Sequence, residues 1–587
     1  MNKHIAFVRF FVCCLLLCFL LYIPAYGAEN RLPSGIGYEE IDAAIRDYIK
    51  EHEASTAGLA WSVFDEEEEL SAGFYGYEDR ENQLPVDEET VFEWGSGTKI
   101  LVWVSVMQLY DEGQLDLEAD IRTYLPEGFL SNLRYDTPVT MLHLMNHTAG
   151  FQYGLADVNI KQAGLYANLE EAVSAHKPEQ IYEPGTITAY SNWGTSLAAY
   201  IVERISGMEF ADYVHEHIFA PLGMERSALY MDLSDNGWVQ EKRKELQCYT
   251  SEGELMQDSF DYITLYPSGR CVSTFGDFKA LARAVLTKDP RIMSAEAWDT
   301  MFSPSDYFAG TELPKNYHGL WAVYLGVPAI GHIGRTGGSS CYLLVDPEHG
   351  VGSLFACNQG GDLVYTEGVR SLIYGDFQYE DFGEEPAIPA KTYRNASIDA
   401  NGAFKLMAYI SATGAPLNTA GQYYQVSPFA SRSRVEFAYM DYQEIPDSRV
   451  LAESFTILSY IAGLVLLALS VPVRLVLGLI GMRKKKEGGR ELVLWSIIAT
   501  LLPFLVTAFY LYASASVAFP STRYVWAFCA IGVIAVCMAA MAVYGIIRTV
   551  RGRFSWKKKA FYYMIAAILI LSVVYVCYWN MFMFWKI

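Results

Sequence analysis

The chain has 587 residues, of which 52% are hydrophobic and 19% charged. That length exceeds one ordinary domain, and that composition excludes a disordered or collagen-like chain. The formal charge of −23, from 44 Lys and Arg against 67 Asp and Glu, argues against non-specific binding to nucleic acid.

The charge is unevenly spread. Residues 1–28 hold Lys3 and Arg9 and no acid, a net of +2. Residues 29–453 hold 28 basic and 65 acidic residues, a net of −37. Ser454–Ile587 holds 14 basic and 2 acidic residues, a net of +12. An acidic middle is therefore flanked by two basic, apolar ends. At the N-terminus, Lys3 and Arg9 precede the apolar run Phe10–Ile23, and Ala25, Gly27 and Ala28 follow. This order of positive, apolar and small residues predicts an export signal over residues 1–28; the alternative is an uncleaved anchor.

Residues 36–378 read as one mixed α/β domain. Gly58–Phe64 and Leu70–Tyr77 predict strands joined by the acidic turn Asp65–Glu69. Lys99–Leu115, Thr195–Ser206 and Phe210–Phe219 predict helices. Leu320–Gly326, Ala329–Gly334, Cys341–Asp346 and Val351–Asn358 predict successive strands, and turns as short as Asp346–Gly350 imply antiparallel pairing. Strands at both ends with helices between them predict one sheet built from the two termini. Cys341 and Cys357 flank the Asp346–Gly350 turn almost symmetrically. They are read either as a disulfide across a hairpin or as two buried thiols on neighbouring strands.

Three short stretches carry chemistry. Phe92-Glu93-Trp94-Gly95-Ser96-Gly97-Thr98-Lys99 precedes an apolar helix, and a Ser and a Lys three apart at a helix N-terminus share a face. A serine hydroxyl becomes a nucleophile when a neighbour takes its proton, and a lysine of lowered pKa is such a base. The free N–H groups at that helix start suit a developing oxyanion. The second stretch is Tyr190-Ser191-Asn192: a tyrosine to relay a proton and an asparagine to hold a substrate amide. The third is Gly331-His332-Ile333-Gly334-Arg335, on a strand whose glycine admits close approach.

Together these stretches resemble the serine β-lactamase-related family, which includes class C β-lactamases, D-alanyl-D-alanine carboxypeptidases, D-amino-acid peptidases and esterases. Asp111–Leu117, Leu144–Gly150, Pro221–Met224, Pro267–Gly269 and Val272–Thr274 resemble the family's flanking segments, in the family's order. The resemblance implies an antiparallel sheet flanked by helices with a helical subdomain, an α/β (α+β) fold. It also implies roles. Ser96 is the acylated nucleophile, and Lys99 is the base, working with Tyr190. Asn192 binds the substrate carbonyl or amide, and His332 and Gly334 occupy the third motif. The backbone N–H groups of Ser96 and Arg335 form the oxyanion hole, and His147 is structural. One departure stands out. Ile333 holds the middle of the third motif, where carboxylate-recognising members carry a hydroxyl residue. A lost bond to a charged group costs about 1.5–3 kcal/mol. Arg335 and Thr336 are the residues able to compensate, and esterase or amidohydrolase chemistry stays open.

No cofactor is implied. His215-x-His217 does not share a helix face, and no metal cluster is read from the sequence. Residues 379–453 are interrupted by Pro386, Pro389, Gly414, Pro416 and Pro428. They read as a juxtamembrane linker or small β-rich module without recognisable chemistry.

Within residues 454–587, four apolar runs at 454–473, 492–517, 524–547 and 560–585 are each long enough to cross a bilayer. Arg483, Lys484, Lys485, Lys486 and Arg490 lie between the first two runs. Arg548, Arg551, Arg553, Lys557, Lys558 and Lys559 lie between the last two, and the middle loop has only Arg523. Excess positive charge marks cytoplasmic loops, which puts the acidic middle on the extracytoplasmic side, where an export signal would deliver it. The expected protein is a membrane-anchored serine hydrolase with a small-molecule or peptide substrate and no nucleic-acid partner. The rival reading is a β-lactam or cell-wall-fragment sensor that signals through its helices.

Overall fold

The structure, a computed structural model, describes residues 30–131, 133–152, 154, 158–308, 312–322, 327–376, 393–398, 402–407, 434–436, 439–483 and 489–583. The expected export signal at 1–28 lies outside the described residues, as does the end of the expected strand at 323–326.

Helix α1 (Ile41–Glu51) leads into β1 (Gly58–Asp65) and β2 (Glu69–Asp79). A helical region follows, with α2 (Lys99–Asp111), α3 (Asn192–Ser206) and α4 (Phe275–Leu286) as its main elements. The chain then returns to the sheet as β3 (Pro314–Tyr317), β4 (Leu320–Ala322), β5 (Ile330–Arg335), β6 (Ser340–Asp346) and β7 (Val351–Cys357), and closes with α5 (Val364–Tyr374). The sheet order β2-β1-β7-β6-β5-β4-β3, with a short edge strand at each side, is antiparallel throughout. Leu59 pairs with Cys357 and Asp65 with Val351, so the first strand and the last lie side by side. This is the expected sheet built from two termini.

Strand periodicity divides the core in two. Ala60, Phe64, Leu343, Val345 and Leu354 face the helical region. Leu59, Trp61, Val63, Leu344 and Phe355 face Ile41, Ile45 and Ile49 of α1 and Val369 and Ile373 of α5. Because both faces are covered, β1 and β7 read as near-continuous apolar runs rather than as clean alternation. Helix α2 is buried from Lys99 to Leu109, so it lacks a polar face. It stops at Asp111 because Gly113 turns left-handed at φ +69°, the usual role of glycine after a helix end. The expected helix Phe210–Phe219 is α-helical only to Val214 and continues as a π-turn over His215–Phe219. Pro221 has no N–H to offer the His217 carbonyl, and Gln108 Nε2 donates to that carbonyl instead (3.1 Å).

The cysteine symmetry resolves against a disulfide. Cys341 pairs with Ala356, and Cys357 pairs with Ser340. The two are out of register by one residue, which turns their side chains to opposite faces. Cys341 joins the core under the helical region and Cys357 the core under α1 and α5. Cys248, Cys271, Cys341 and Cys357 are all buried free thiols.

Among the described residues of 379–453, β8 (Tyr393–Asn395), β9 (Arg434–Glu436) and β10 (Asp441–Glu444) form a small antiparallel sheet of order β8-β10-β9. Four long helices follow: α6 (Asp447–Arg483), α7 (Gly489–Ala515), α8 (Val525–Arg551) and α9 (Trp556–Tyr578). Each is long and apolar enough to cross a membrane, with mean hydropathy of 2.0 to 2.4. Arg474 of α6 turns into the bundle and donates to the carbonyls of Leu467, Ser470 and Ser496. The small sheet is tied to α6 by a buried fork: Arg394 donates to both Glu453 oxygens (3.1 and 2.7 Å), and Arg449 Nε donates to one of them (3.1 Å).

At the end of the short strand Val91–Glu93, which precedes the Ser96 turn and pairs with Val272–Thr274, Glu93 is buried with Arg243 (2.8 Å) and Arg270 (3.6 Å). Burial alone would raise its carboxyl pKa, and the two guanidinium charges overcome it, holding the group below the usual range. Removing one partner of such a group strands buried charge. Glu93→Ala is expected to destabilise the domain by about 3–5 kcal/mol, read from denaturant unfolding of the full chain in detergent; a shift under 1 kcal/mol would contradict the ion-pair account. All four domain thiols are expected to alkylate after denaturation without reductant, and a reductant-dependent gain of two would restore the disulfide.

Candidate active site

Two glycines decide how closely the Ser96 turn meets β5. Ser96 lies in a 3-10 turn, Gly95–Thr98, that runs straight into α2. Gly95 has φ +49°, and a Cβ there would sit 2.6 Å from Arg335 N and O. A Cβ on Gly334 would fall 1.8 Å from the Trp94 carbonyl oxygen. The turn and the strand cross with no room for side chains, so the contribution of Gly334 is this close approach. It sets the backbone of Arg335 beside the Ser96 turn, while the Arg335 side chain is exposed at the strand end.

Ser96 Oγ has two neighbours. The Tyr190 hydroxyl donates to it at 2.7 Å, and Lys99 Nζ lies 3.1 Å away. Lys99 is 0% exposed, and burial holds its amine well below the usual lysine value. Desolvation disfavours the charged form. Its Nζ donates to the Ser268 carbonyl (2.5 Å) and to the Ser96 hydroxyl oxygen (3.1 Å). It also lies 4.9 Å from the centroid of the Tyr190 ring.

Tyr190 is held by its neighbours in sequence. Ser191 caps α3, its hydroxyl accepting the Gly194 N–H (2.9 Å). His147 brackets the tyrosine: its carbonyl accepts the Ala189 N–H (2.8 Å), its Nδ1 accepts the Ser191 N–H (3.4 Å), and its ring lies 4.5 Å from that of Tyr190. Burial, then the Lys99 charge, lowers the His147 pKa to about 3. Asn192 opens α3 and lines a shallow cleft with Gln152, His176 and Leu265.

His332 is 1% exposed. Burial, then the Lys99 charge, pushes its pKa well below the usual imidazole value. The neutral ring donates from Nδ1 to the Ile333 carbonyl (2.7 Å). That leaves Nε2 as a lone-pair acceptor without a hydrogen-bond partner among the described residues. At this position the third motif therefore offers no positive charge to a carboxylate. The Ile333 side chain turns the other way and packs into the core under α1 and α5.

Three contributors were not among the site residues read from the sequence, although Ser268 lies in the family-like segment Pro267–Gly269. The Ser268 carbonyl enters through its backbone. Trp321 of β4 stacks 6.0 Å from Tyr190 and sits edge-on at 4.3 Å from His332. Tyr439, just before β10, lies 4.5 Å from Trp321.

The family model described as Beta-lactamase matches residues 41–373. Penicillin-binding protein 4 of Amycolatopsis lactamdurans is 28% identical over 344 residues, covering 55% of this chain and 86% of that protein. Penicillin-binding protein 4* of Bacillus subtilis (strain 168) is 24% identical, covering 55% of this chain and 73% of the relative. Among solved structures, the D-amino acid amidase from Ochrobactrum anthropi SV3 aligns over 57% of this chain and 97% of its own, with 23% identity and a TM-score of 0.47.

Lys99→Met should slow covalent labelling of the protein by a fluorophosphonate about 10²–10⁴-fold, the usual worth of a positioned base. Protonation removes the lone pair. Wild-type labelling is therefore expected to be complete above the lowered amine pKa and to fall as pH drops through it. A rate still climbing near the ordinary lysine value of 10.5 would show that the amine is not depressed.

Proposed function

The chain belongs to the beta-lactamase family of serine hydrolases, and on that premise we propose that it hydrolyses an amide, peptide or ester through an acyl-enzyme on Ser96. The observation that carries this reading is the position of Ser96 Oγ, between Tyr190 Oη at 2.7 Å and a fully buried Lys99 amine at 3.1 Å.

Ser96 Oγ attacks the scissile carbonyl while its proton passes to Lys99 Nζ. The carbonyl oxygen, now an oxyanion, takes hydrogen bonds from the backbone N–H groups of Ser96 and Arg335. Tyr190, between the amine and the leaving group, delivers the proton as the C–N or C–O bond breaks. Water then repeats the sequence on the acyl-enzyme, releasing the acid and returning the proton to Ser96. His147 orients Tyr190, and Asn192 binds the substrate carbonyl or amide. His332 lines the site as a neutral acceptor.

The named relatives are penicillin-binding proteins, and a β-lactam is the corresponding mechanism-based probe. A neutral His332 and an Ile333 turned into the core under α1 and α5 favour ester or amide substrates over those recognised by a free carboxylate. The domain reading follows the sequence: a hydrolase over 36–378, a juxtamembrane module over 379–453, and a membrane anchor over 454–587. The hydrolase lies on the extracytoplasmic side, supported by the basic residues flanking the first-to-second and third-to-fourth helix turns.

Ser96→Ala is expected to abolish labelling by fluorophosphonate and penicillin probes, and to abolish turnover in a panel of chromogenic esters, D-amino-acid amides, D-Ala-D-Ala peptides and a cephalosporin. Unchanged labelling of the variant would remove Ser96 as the nucleophile. Esters or amides should turn over faster than the carboxylate-bearing substrates.

A further inference from the structure

The hydrolase domain does not complete its own site. Tyr439 belongs to the juxtamembrane module, yet its ring meets Trp321 edge-on at 4.5 Å and Tyr190 edge-on at 6.3 Å. Trp321 in turn stacks on Tyr190 and abuts His332. Three aromatic rings thus stand together, two from the hydrolase and one from the module, and the first of them, Tyr190, donates to the Ser96 hydroxyl.

This contact is anchored. The Asp441 N–H donates to the Thr188 carbonyl (2.8 Å), and the Thr188 N–H donates to Asp441 Oδ2 (2.9 Å). Asp441 is completely buried, so the pair is shielded from water and from salt. The same clamp lies two residues from Tyr439 on one side and two residues from Tyr190 on the other, and it fixes both rings in one frame. A second contact, from the Tyr182 hydroxyl to the Ala396 carbonyl (3.3 Å), ties the module to the chain leading to Tyr190. The Arg394–Glu453 fork fixes the module to the first long helix.

We propose that Tyr439 is a specificity-determining residue, and that with Trp321 and Tyr190 it forms a pocket wall that receives an aromatic or bulky apolar group of the substrate next to the scissile bond. The wall is chemically suited to that role. It presents π faces and edges, it stands where neutral His332 supplies no charge, and aromatic groups pack on such rings in offset or edge-to-face geometry. The catalytic acylation needs only hydrolase residues; the choice of substrate needs the module as well. The inference rests on the Ser96 reading and deepens it.

The test uses the full chain in detergent and a pair of fluorophosphonate probes that differ in one arm, ethyl against benzyl. The readout is the ratio of their second-order rate constants for labelling. Wild type is expected to prefer the benzyl probe. Tyr439→Ala should cut that preference roughly three- to tenfold. Tyr439→Phe, which keeps the ring, should retain the preference. An unchanged ratio in Tyr439→Ala overturns the proposal. So does a loss or gain shared equally by both probes, because it would mark Tyr439 as a structural prop or a plug. Labelling that persists in Ser96→Ala would instead overturn the nucleophile assignment, so the two failures are distinct.

Discussion

The site is organised around one costly group, an amine with no exposure to water. A buried ammonium is expensive unless it is paired, and burial holds Lys99 well below its usual pKa. The geometry follows from that requirement. Helix α2 is enclosed along its length, the Ser268 carbonyl takes one amine hydrogen, and the Tyr190 ring covers the Nζ. Glycines at 95 and 334 let the turn and the strand close over this point. An amine of lowered proton affinity is thereby held beside a serine hydroxyl.

Low polarity extends beyond the amine. His147 and His332 are both neutral because both are buried and both feel Lys99. The aromatic ring of Trp321, rather than a cation, stands next to the third motif. Fixed charge is kept one layer away, in the Glu93–Arg243–Arg270 group, where it ties the strand before the Ser96 turn to the elements behind it. The separation is physically consistent: charge adjacent to Lys99 would shift the amine, whereas a buried ion group behind the turn mainly contributes to rigidity.

The C-terminal half is continuous with this arrangement. The small sheet β8–β10 contacts the hydrolase through Asp441 and the long helices through Arg394 and Glu453. The Lys161 N–H donates to the Ala518 carbonyl in the turn between α7 and α8 (2.7 Å). The hydrolase therefore meets the helical bundle directly at this turn and indirectly through the module, which also bears on Tyr190.

Much of the molecule was legible in the order of its residues. The strands at both ends of the hydrolase, the buried helix after Ser96 and the four apolar helices follow from apolar periodicity and run length, which are local properties. Ser96, Lys99 and Tyr190 stood out because their motifs, taken together and in order, resemble those of a known family. Other features depended on the fold. The near-symmetry of Cys341 and Cys357 was off by one position, and strand periodicity turns a one-residue offset into opposite faces. The neutrality of His332 is a matter of burial, which no motif encodes. Ser268, Trp321 and Tyr439 join the site from segments far apart in the chain, Ser268 through a carbonyl that its family-like segment does not mark as a contact, the other two through aromatic rings with no distinguishing neighbours. The sequence by itself determined the elements and the reactive groups. Only the tertiary structure decided which groups lose their water, and desolvation is what lowers the pKa of Lys99 and of His332.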